Sequence, residues 1–597
     1  MPSVQTKIQS LRKIMQTEQI QACIIPSTDP YIGEYTPDRW KTRAWLSGFT
    51  GSAGTVVVTM NKAGLWTDSR YFLQAEEQLK GSGIGLYKTG LPGTPTFSDW
   101  IGSELSAGDC VGIEGAVFAA SEAKSLIEFF SEKRLKVRTD FAPYDSLWKN
   151  RPAVPANPAF ILPECFAGKS CRKKIREVVA EIKKNQANAT ILAASDTIAW
   201  LFNIRGNDVN YNPVCVSYAV VSENETVLFI SPDKLTQGVS DYFRKEGIIT
   251  ADYEKIADYI QKALHGATIL ITPSKINYRL YSILLENCVI KETSVHPADL
   301  LKSIKNATEI AGIRNAMQKD GVAMVKFLMD LEKALANNET ITELDVAEKL
   351  RTYRSEQALY FGESFKTIAG YGAHGAVVHY EATPESNAVI HPDGILLIDS
   401  GAQYFDGTTD ITRTVSTGQV SETVKRNYTW VLKGHIQLAS AIFPAGTVGM
   451  QLDILARQAL WKAGQNFLHG TGHGVGCFLN VHEGPQSIRM NYNPTPLEPG
   501  MITSDEPGLY LAGEYGIRIE NLLLTVQAKT TEFGDFYTFE TLTLCPIDTR
   551  LIDCSLLYPE EINRLNAYHQ RVRDRLTPLL SPEEAEWLKE QTKPIGY

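Results

Sequence analysis

Apolar and polar positions along the first 300 residues fall into a pattern that occurs twice. In the first copy, Ile8, Leu11 and Met15 recur at helical spacing and are followed by QACIIPSTDPYIGEY and TVVVTMNKAGLWTDSR. In the second, Ile175, Val178, Val179 and Ile182 precede ATILAASDTIAWLF and SYAVVSENETVLFISPDK. Apolar residues three and four apart predict an amphipathic helix, and short β-branched runs divided by polar turns predict strands. In both copies the first strand ends in a Ser with an Asp within two residues. Two related α/β domains in tandem account for the repetition.

Pro152, Pro155, Pro158 and Pro163 stiffen the join after the first copy. A second boundary falls near VHPADLLKSIKN, residues 295–306, ahead of a long helical pattern through Ala311, Ile313, Met317, Val322, Met324, Val325 and Leu328. The expected division is 1–150 and 151–303 for the paired domains. Residues 304–597 then form a third domain of mixed strands and helices, closing on a helical segment rich in Glu, Arg and Leu. A chain of 597 residues exceeds what one core usually organises.

Composition narrows the classes. A net charge of -9 argues against a general nucleic-acid binder. In CRKKIREVVAEIKK the interleaved Glu177 and Glu181 predict a solvated helix face rather than a nucleic-acid helix. No apolar window reaches membrane-spanning length, and the N-terminus lacks the apolar core of a secretory signal. The nine cysteines include no CxxC pair, which predicts reduced thiols in a cytoplasmic protein.

The third domain is where the alternation breaks. Leu396, Leu397 and Ile398 open a buried strand that ends on Asp399, and Asp410 sits in the next, TTDITRT. Seven of the ten histidines lie between residues 374 and 482: His374, His379, His391, His435, His469, His473 and His482. The Gly-rich LHGTGHGVG follows, then SDEPGLY with Glu506 and GIRIEN with Glu520. Each acid alone reads more simply as a cap or a solvent-facing strand residue. Together, four acids and a histidine stand where apolar strands bury their neighbours, and buried carboxylates lose hydration and repel one another. Divalent cations are the ordinary remedy.

Other readings of the same residues fit poorly. His469 and His473 are four apart, as in zinc-protease helices, but the flanking glycines oppose a helix. Gly470, Gly472 and Gly474 do not make a dinucleotide loop, and GFTGSAGT lacks the ending of a phosphate cradle. A tight turn on Asp406-Gly407 would set Asp399 opposite Thr414. For the two aspartates to face each other, the hairpin must centre near Tyr404 and Phe405 or carry a bulge.

The set IDSGAQYFDGTTDITRT, LHGTGHGVGCFLNVHEGP, SDEPGLY and GIRIEN resembles the metal site of the pita-bread metallopeptidases. Within them the chain is most similar to Xaa-Pro aminopeptidases of the long three-domain type, and SGFTGSAGT and LWTDSRYFLQA resemble the first of their two creatinase-like domains. The resemblance covers essentially the whole chain. It implies an α/β (α+β) fold, two creatinase-like domains before a pita-bread catalytic domain, and hydrolysis of the bond preceding a penultimate proline. It implies Asp399, Asp410, His473, Glu506 and Glu520 as ligands of two divalent metal ions, with Asp410 and Glu520 bridging. A hard, oxygen-rich donor set favours Mn2+ over a thiolate-type zinc site.

Further roles follow from the resemblance. Glu506 would move the proton, His482 would stabilise the tetrahedral intermediate, and His379 and His469 would line the proline pocket. His473, His379 and His482 would face substrate together with Arg70 and Glu34, which the first domain would bring toward the substrate's amino terminus. Arg518 would pair with a ligand from behind. Peptides with proline second are the implied partners, with a homodimer as the assembly. The alternatives are prolidase, which takes only Xaa-Pro dipeptides, and a non-catalytic binding module of the same fold. Methionine aminopeptidase needs neither extra domain, and creatinase would not be expected to keep the full metal set.

Overall fold

The repeated pattern folds into two six-stranded mixed sheets of one topology. In the first, Ala22–Ile25 pairs antiparallel with Thr55–Thr59 and parallel with Cys110–Gly112. In the second, Ala189–Leu192 does the same with Ser217–Ser222 and Thr268–Ile271. The remaining strands extend both sheets in the same order and sense. The computed structural model describes residues 2–596 and divides into two units: Met1–Pro163 with Lys169–Ala298, and Glu164–Gly168 with Asp299–Tyr597.

Each sheet of the first unit carries the helix its sequence predicts. Val4–Thr17 buries Ile8, Leu11 and Met15. Cys171–Lys184 buries Ile175, Val178 and Ile182, and Ser3 and Ser170 cap the two helices. The basic run differs from the expected solvated face at one position. Lys174 is buried, and its ammonium donates to Trp200 O at 2.9 Å and Asn203 Oδ1 at 2.8 Å. Two acceptors and the Trp200 face at 4.9 Å replace its hydration.

In the second unit the expected long helix runs Ala307–Ala336, started by a capping box between Asn306 and Glu309. Of the apolar positions expected in it, Ile313, Met317, Val322, Met324, Val325 and Leu328 are buried and Ala311 is exposed. Met324, Phe327 and Leu331, with Val346 and Leu350 of helix Glu343–Ser355, pack on Leu396, Ile398, Ile411 and Val415. Helix Glu422–Ala439 places Tyr428, Val431, Leu432 and Ile436 against Ile395, Leu509, Ile517 and Ile519. Side chains alternate along a strand. With Leu396 and Ile398 turned to one helix layer, Leu397 and Asp399 face the other way.

All nine cysteines are free thiols and five are buried. No helix is long and apolar enough to cross a membrane among the described residues.

Candidate metal centre

Asp399 closes strand Ile395–Ser400, and Asp410 immediately precedes strand Ile411–Ser416. Their register pairs Asp399 with Thr412 and Ser400 with Ile411, and the hairpin beyond pairs Tyr404 with Gly407. The turn is therefore centred on Phe405 and Asp406, between the two positions weighed from the sequence. Opposed residues share a face, as do residues two apart. Asp399, Thr412 and Asp410 thus project together, the aspartates as diagonal neighbours. Asp406 is held at the tip by Asn315 Nδ2 and Lys319 Nζ, both at 2.6 Å. Gly401 is obligatory here, because a Cβ would come within 2.1 Å of Thr409 O.

The other three residues arrive from the facing sheets. His473 lies on the short strand Gly472–Gly474, Glu506 follows Ile502–Asp505, and Glu520 stands between Tyr515–Arg518 and Asn521–Thr531. Donor atoms of Asp410, His473 and Glu520 lie within 4.8 Å of one another. His473 Nε2 is 3.4 Å from Asp410 Oδ2 and 3.5 Å from Glu506 Oε1. Its Nδ1 donates to Gly474 O at 2.9 Å, which turns Nε2 toward the two acids.

Electrostatics describe a strained cluster. Burial raises the Glu520 carboxyl well above its usual range, and repulsion from Asp410, Glu506 and Asp399 adds to it. Burial also raises Asp399, against the pull of Arg518, and lifts Glu506 to about 7. At His473 burial disfavours the cation, yet Asp410 and Glu506 outweigh it and raise the imidazole to about 9. The cluster holds protons because it holds too much negative charge. Asp399 Oδ2 takes a hydrogen bond from Arg518 Nη2 at 2.7 Å, whereas Oδ1 is buried with no hydrogen-bond partner. That orphaned oxygen, His473 Nε2 and three further carboxylates are the donor set of a hard divalent cation pair, and they fit one.

Of the three histidines expected beside the ligands, His482 packs on one of them, and His469 and His379 lie next to groups that Arg518 holds. The His482 ring stands edge-on to His473 with centroids 4.3 Å apart. His469 Nδ1 donates to Gly470 O at 2.8 Å, leaving Nε2 to accept from the Tyr510 hydroxyl at 2.9 Å. His379 follows Val378, whose carbonyl accepts from Arg518 Nη2 at 3.3 Å. The other histidines of the run serve elsewhere: His374 on Glu343, His391 beside Tyr371 and His435 on Asp505. Glu34 and Arg70 belong to the first unit. Arg70 is ion-paired to Asp68 at 2.8 Å, and the Glu34 charge also acts on it.

Several contributors lie inside the quoted motifs without having been singled out there. Thr412 Oγ1 donates to Glu520 Oε2 at 2.7 Å and accepts from Arg518 Nε at 3.2 Å, so one hydroxyl ties a carboxylate to the arginine. Tyr510 Oη accepts from Arg518 Nη1 at 2.7 Å. Ser504 Oγ accepts from the His473 backbone N–H at 3.0 Å and donates to Glu506 Oε1 at 3.1 Å. Thr412 was visible in outline, since polar residues at 410, 412 and 414 share one face of a buried strand. Ser504 and Tyr510 open and close SDEPGLY, but nothing in that string shows what their hydroxyls touch.

Residues 311–527 match the model of metallopeptidase family M24, and 535–595 that of its C-terminal region. Residues 7–141 and 150–309 match models of the creatinase/prolidase N-terminal domain. A probable Xaa-Pro aminopeptidase P of Coprinopsis cinerea is 41% identical, over 99% of this chain and 98% of its own. Aminopeptidase P2 of Arabidopsis thaliana is 40% identical over 99% and 89%. Among solved structures, an X-prolyl aminopeptidase from Caenorhabditis elegans, described as a cytosolic enzyme with a di-nuclear active site, superposes with a TM-score of 0.96. It is 37% identical, and all of both chains is covered. An Xaa-Pro dipeptidase from Bacillus anthracis, 23% identical with a TM-score of 0.50 over 64% of this chain and 99% of its own, shares the fold.

Proposed function

This chain belongs to metallopeptidase family M24, and we propose that within it the protein is an aminopeptidase that releases the first residue from peptides whose second residue is proline. The observation that carries this is the buried cluster itself: Asp410, His473 and Glu520 with donor atoms within 4.8 Å, flanked by Asp399 and Glu506. Asp399, Asp410, His473, Glu506 and Glu520 would hold two divalent cations. Manganese is assigned because four of the five donors are hard carboxylates. When bound, the cations supply Lewis acidity and a nucleophile at neutral pH.

The rest of the chemistry belongs to side chains. Glu506, at the edge of the cluster beside His473, accepts a proton from the nucleophile and returns it to the proline nitrogen as the amide breaks. A bond to proline offers no N–H, so recognition falls on ring shape and neighbouring carbonyls. His482 donates to the developing oxyanion, and His379 and His469 line the pocket. Arg518 neutralises part of the charge on Asp399 while holding Tyr510, which orients His469. Glu34 and Arg70 are assigned to the substrate's amino-terminal side.

Domains at 1–150, 151–303 and 304–597, a cytoplasmic location and a homodimer complete the reading. The dimer is supported by one face of helix Gly449–Lys462, where Met450, Ile454 and Trp461 are exposed at helical spacing.

The test is hydrolysis of Arg-Pro-Pro before and after chelation, with manganese add-back. Release of arginine that stops with the chelator and returns with manganese is expected. Preference for the dipeptide Arg-Pro would favour prolidase, and metal-independent inactivity would favour a binding module.

A further inference from the structure

A carboxylate that no step above uses begins helix Glu343–Ser355. Glu343 is wholly buried and gathers donors from four points of one segment. Its Oε1 accepts from the Tyr371 backbone N–H at 2.9 Å and from His374 Nδ1 at 2.8 Å. Its Oε2 accepts from the Tyr380 hydroxyl at 2.9 Å and the Ala388 backbone N–H at 3.0 Å. The Glu343 backbone N–H in turn donates to Ala388 O at 3.1 Å. An ionised carboxylate only accepts, so His374 presents a protonated Nδ1. Its ring stacks on Tyr380 with centroids 4.5 Å apart.

His379 lies inside the segment these bonds pin. Val377 to Tyr380 form a turn closed by the Tyr380 N–H on Val377 O at 3.0 Å, with Val378 and His379 at its centre. The other flank is held from the metal side. Arg518, which grips Asp399, also donates to Val378 O at 3.3 Å. The loop backbone lies flat on strand Tyr515–Arg518, where a Cβ on Gly516 would come within 1.7 Å of Gly375 O. A buried carboxylate is a costly way to hold a loop that apolar packing could cover. What it adds is direction, because four donors converging on two oxygens fix the loop's position as contact area does not.

We propose that Glu343 is a positioning residue that sets the affinity for Xaa-Pro peptides by fixing the turn that presents His379. The proposal rests on the reading of His379 as a substrate contact. It acts on binding and leaves the metal cluster alone, since none of its four donors touches a ligand residue.

The test is a double-mutant cycle on the manganese-loaded enzyme with Arg-Pro-Pro. Metal stoichiometry, thermal unfolding and calorimetric binding of the dipeptide Pro-Pro are read alongside. Loss of a hydrogen bond to a charged group corresponds to roughly a tenfold effect. Glu343→Gln and, more gently, Tyr380→Phe are expected to raise KM and weaken Pro-Pro by about tenfold, with kcat within about twofold and metal content unchanged. On a His379→Ala background the same changes are expected to add less than about twofold, because the residue they act through is gone. Full tenfold effects on that background would overturn the proposal, as would lost metal or lower kcat at unchanged KM. Unchanged KM in His379→Ala alone would overturn the reading of His379, and the proposal with it. If Glu343→Gln does not fold, the Tyr380→Phe cycle decides by the same criteria.

Discussion

Thr412 shows how much one hydroxyl can do in a crowded site. It stands opposite Asp399 in the strand register, donates to Glu520 and accepts from Arg518. Without it, Glu520 Oε2 and the arginine lose a shared anchor while the strand keeps its shape. Thr412→Val is nearly isosteric. It is expected to weaken manganese affinity by about 10–100-fold, the usual range for partners that orient ligands, measured by calorimetric titration of apoprotein. Unchanged affinity would mean that the backbone alone orients Glu520. Glu506 makes a different demand, since it both bounds the cluster and moves the proton. Glu506→Gln is expected to lower kcat by about 10²–10⁴-fold in single-turnover assays at saturating manganese, and wild-type turnover would exclude the assigned role.

Among the elements, helix Pro559–Leu576 is tied through His569 to the segment that follows the last strand. That side chain is fully buried, and its Nε2 accepts the Ile547 N–H at 3.1 Å. Burial, with Arg413 and Arg573 nearby, lowers the imidazole from 6.5 to about 3. The sign follows directly. The unfolded chain takes up a proton near pH 6.5 that the folded protein refuses until about 3, so this contribution is whole above 6.5 and is lost as pH falls between those values. Below pH 6 the slope from one proton approaches ~1.4 kcal/mol per pH unit. His569→Gln keeps an acceptor without the titration. Its urea unfolding is expected to depend less on pH between 6.5 and 5 than that of the parent, and identical slopes would contradict the assignment.

The same scale shows what the sequence could carry. Helical spacing at Ile8, Leu11 and Met15 and at Ile313 and Met317 was enough to place buried faces, because propensity, capping and burial agree there. Asp399 and Asp410 announced themselves by breaking alternation in buried strands. Their mutual register did not, because it depends on where the turn closes, and Asn315 and Lys319 reach Asp406 there from a helix some 90 residues earlier. The contacts of Tyr510 and Ser504, the two ends of SDEPGLY, were silent for a similar reason: their partners are assembled by tertiary packing. Lys174 misled, since a lysine in a basic run normally faces water and this one is satisfied by two acceptors on the next helix and its end.

For the whole molecule, two mixed sheets of one topology precede the catalytic unit. The apolar stripe of Met450, Ile454 and Trp461 on Gly449–Lys462 is the surface assigned to self-association. The proposed dimer is tested by sedimentation velocity: a dimeric parent that paired Ile454→Lys and Trp461→Lys substitutions turn into a monomer is expected, and a monomeric parent or an unaltered dimer would contradict this assignment.

Four carboxylates without counter-charge beyond Arg518 and His473 are what the cations must balance. Anomalous diffraction from crystals grown with manganese is the most direct measurement of that balance. Two peaks about 3.5–4 Å apart, enclosed by Asp399, Asp410, His473, Glu506 and Glu520, are expected. No peak there, with those side chains turned away from one another, would contradict the account.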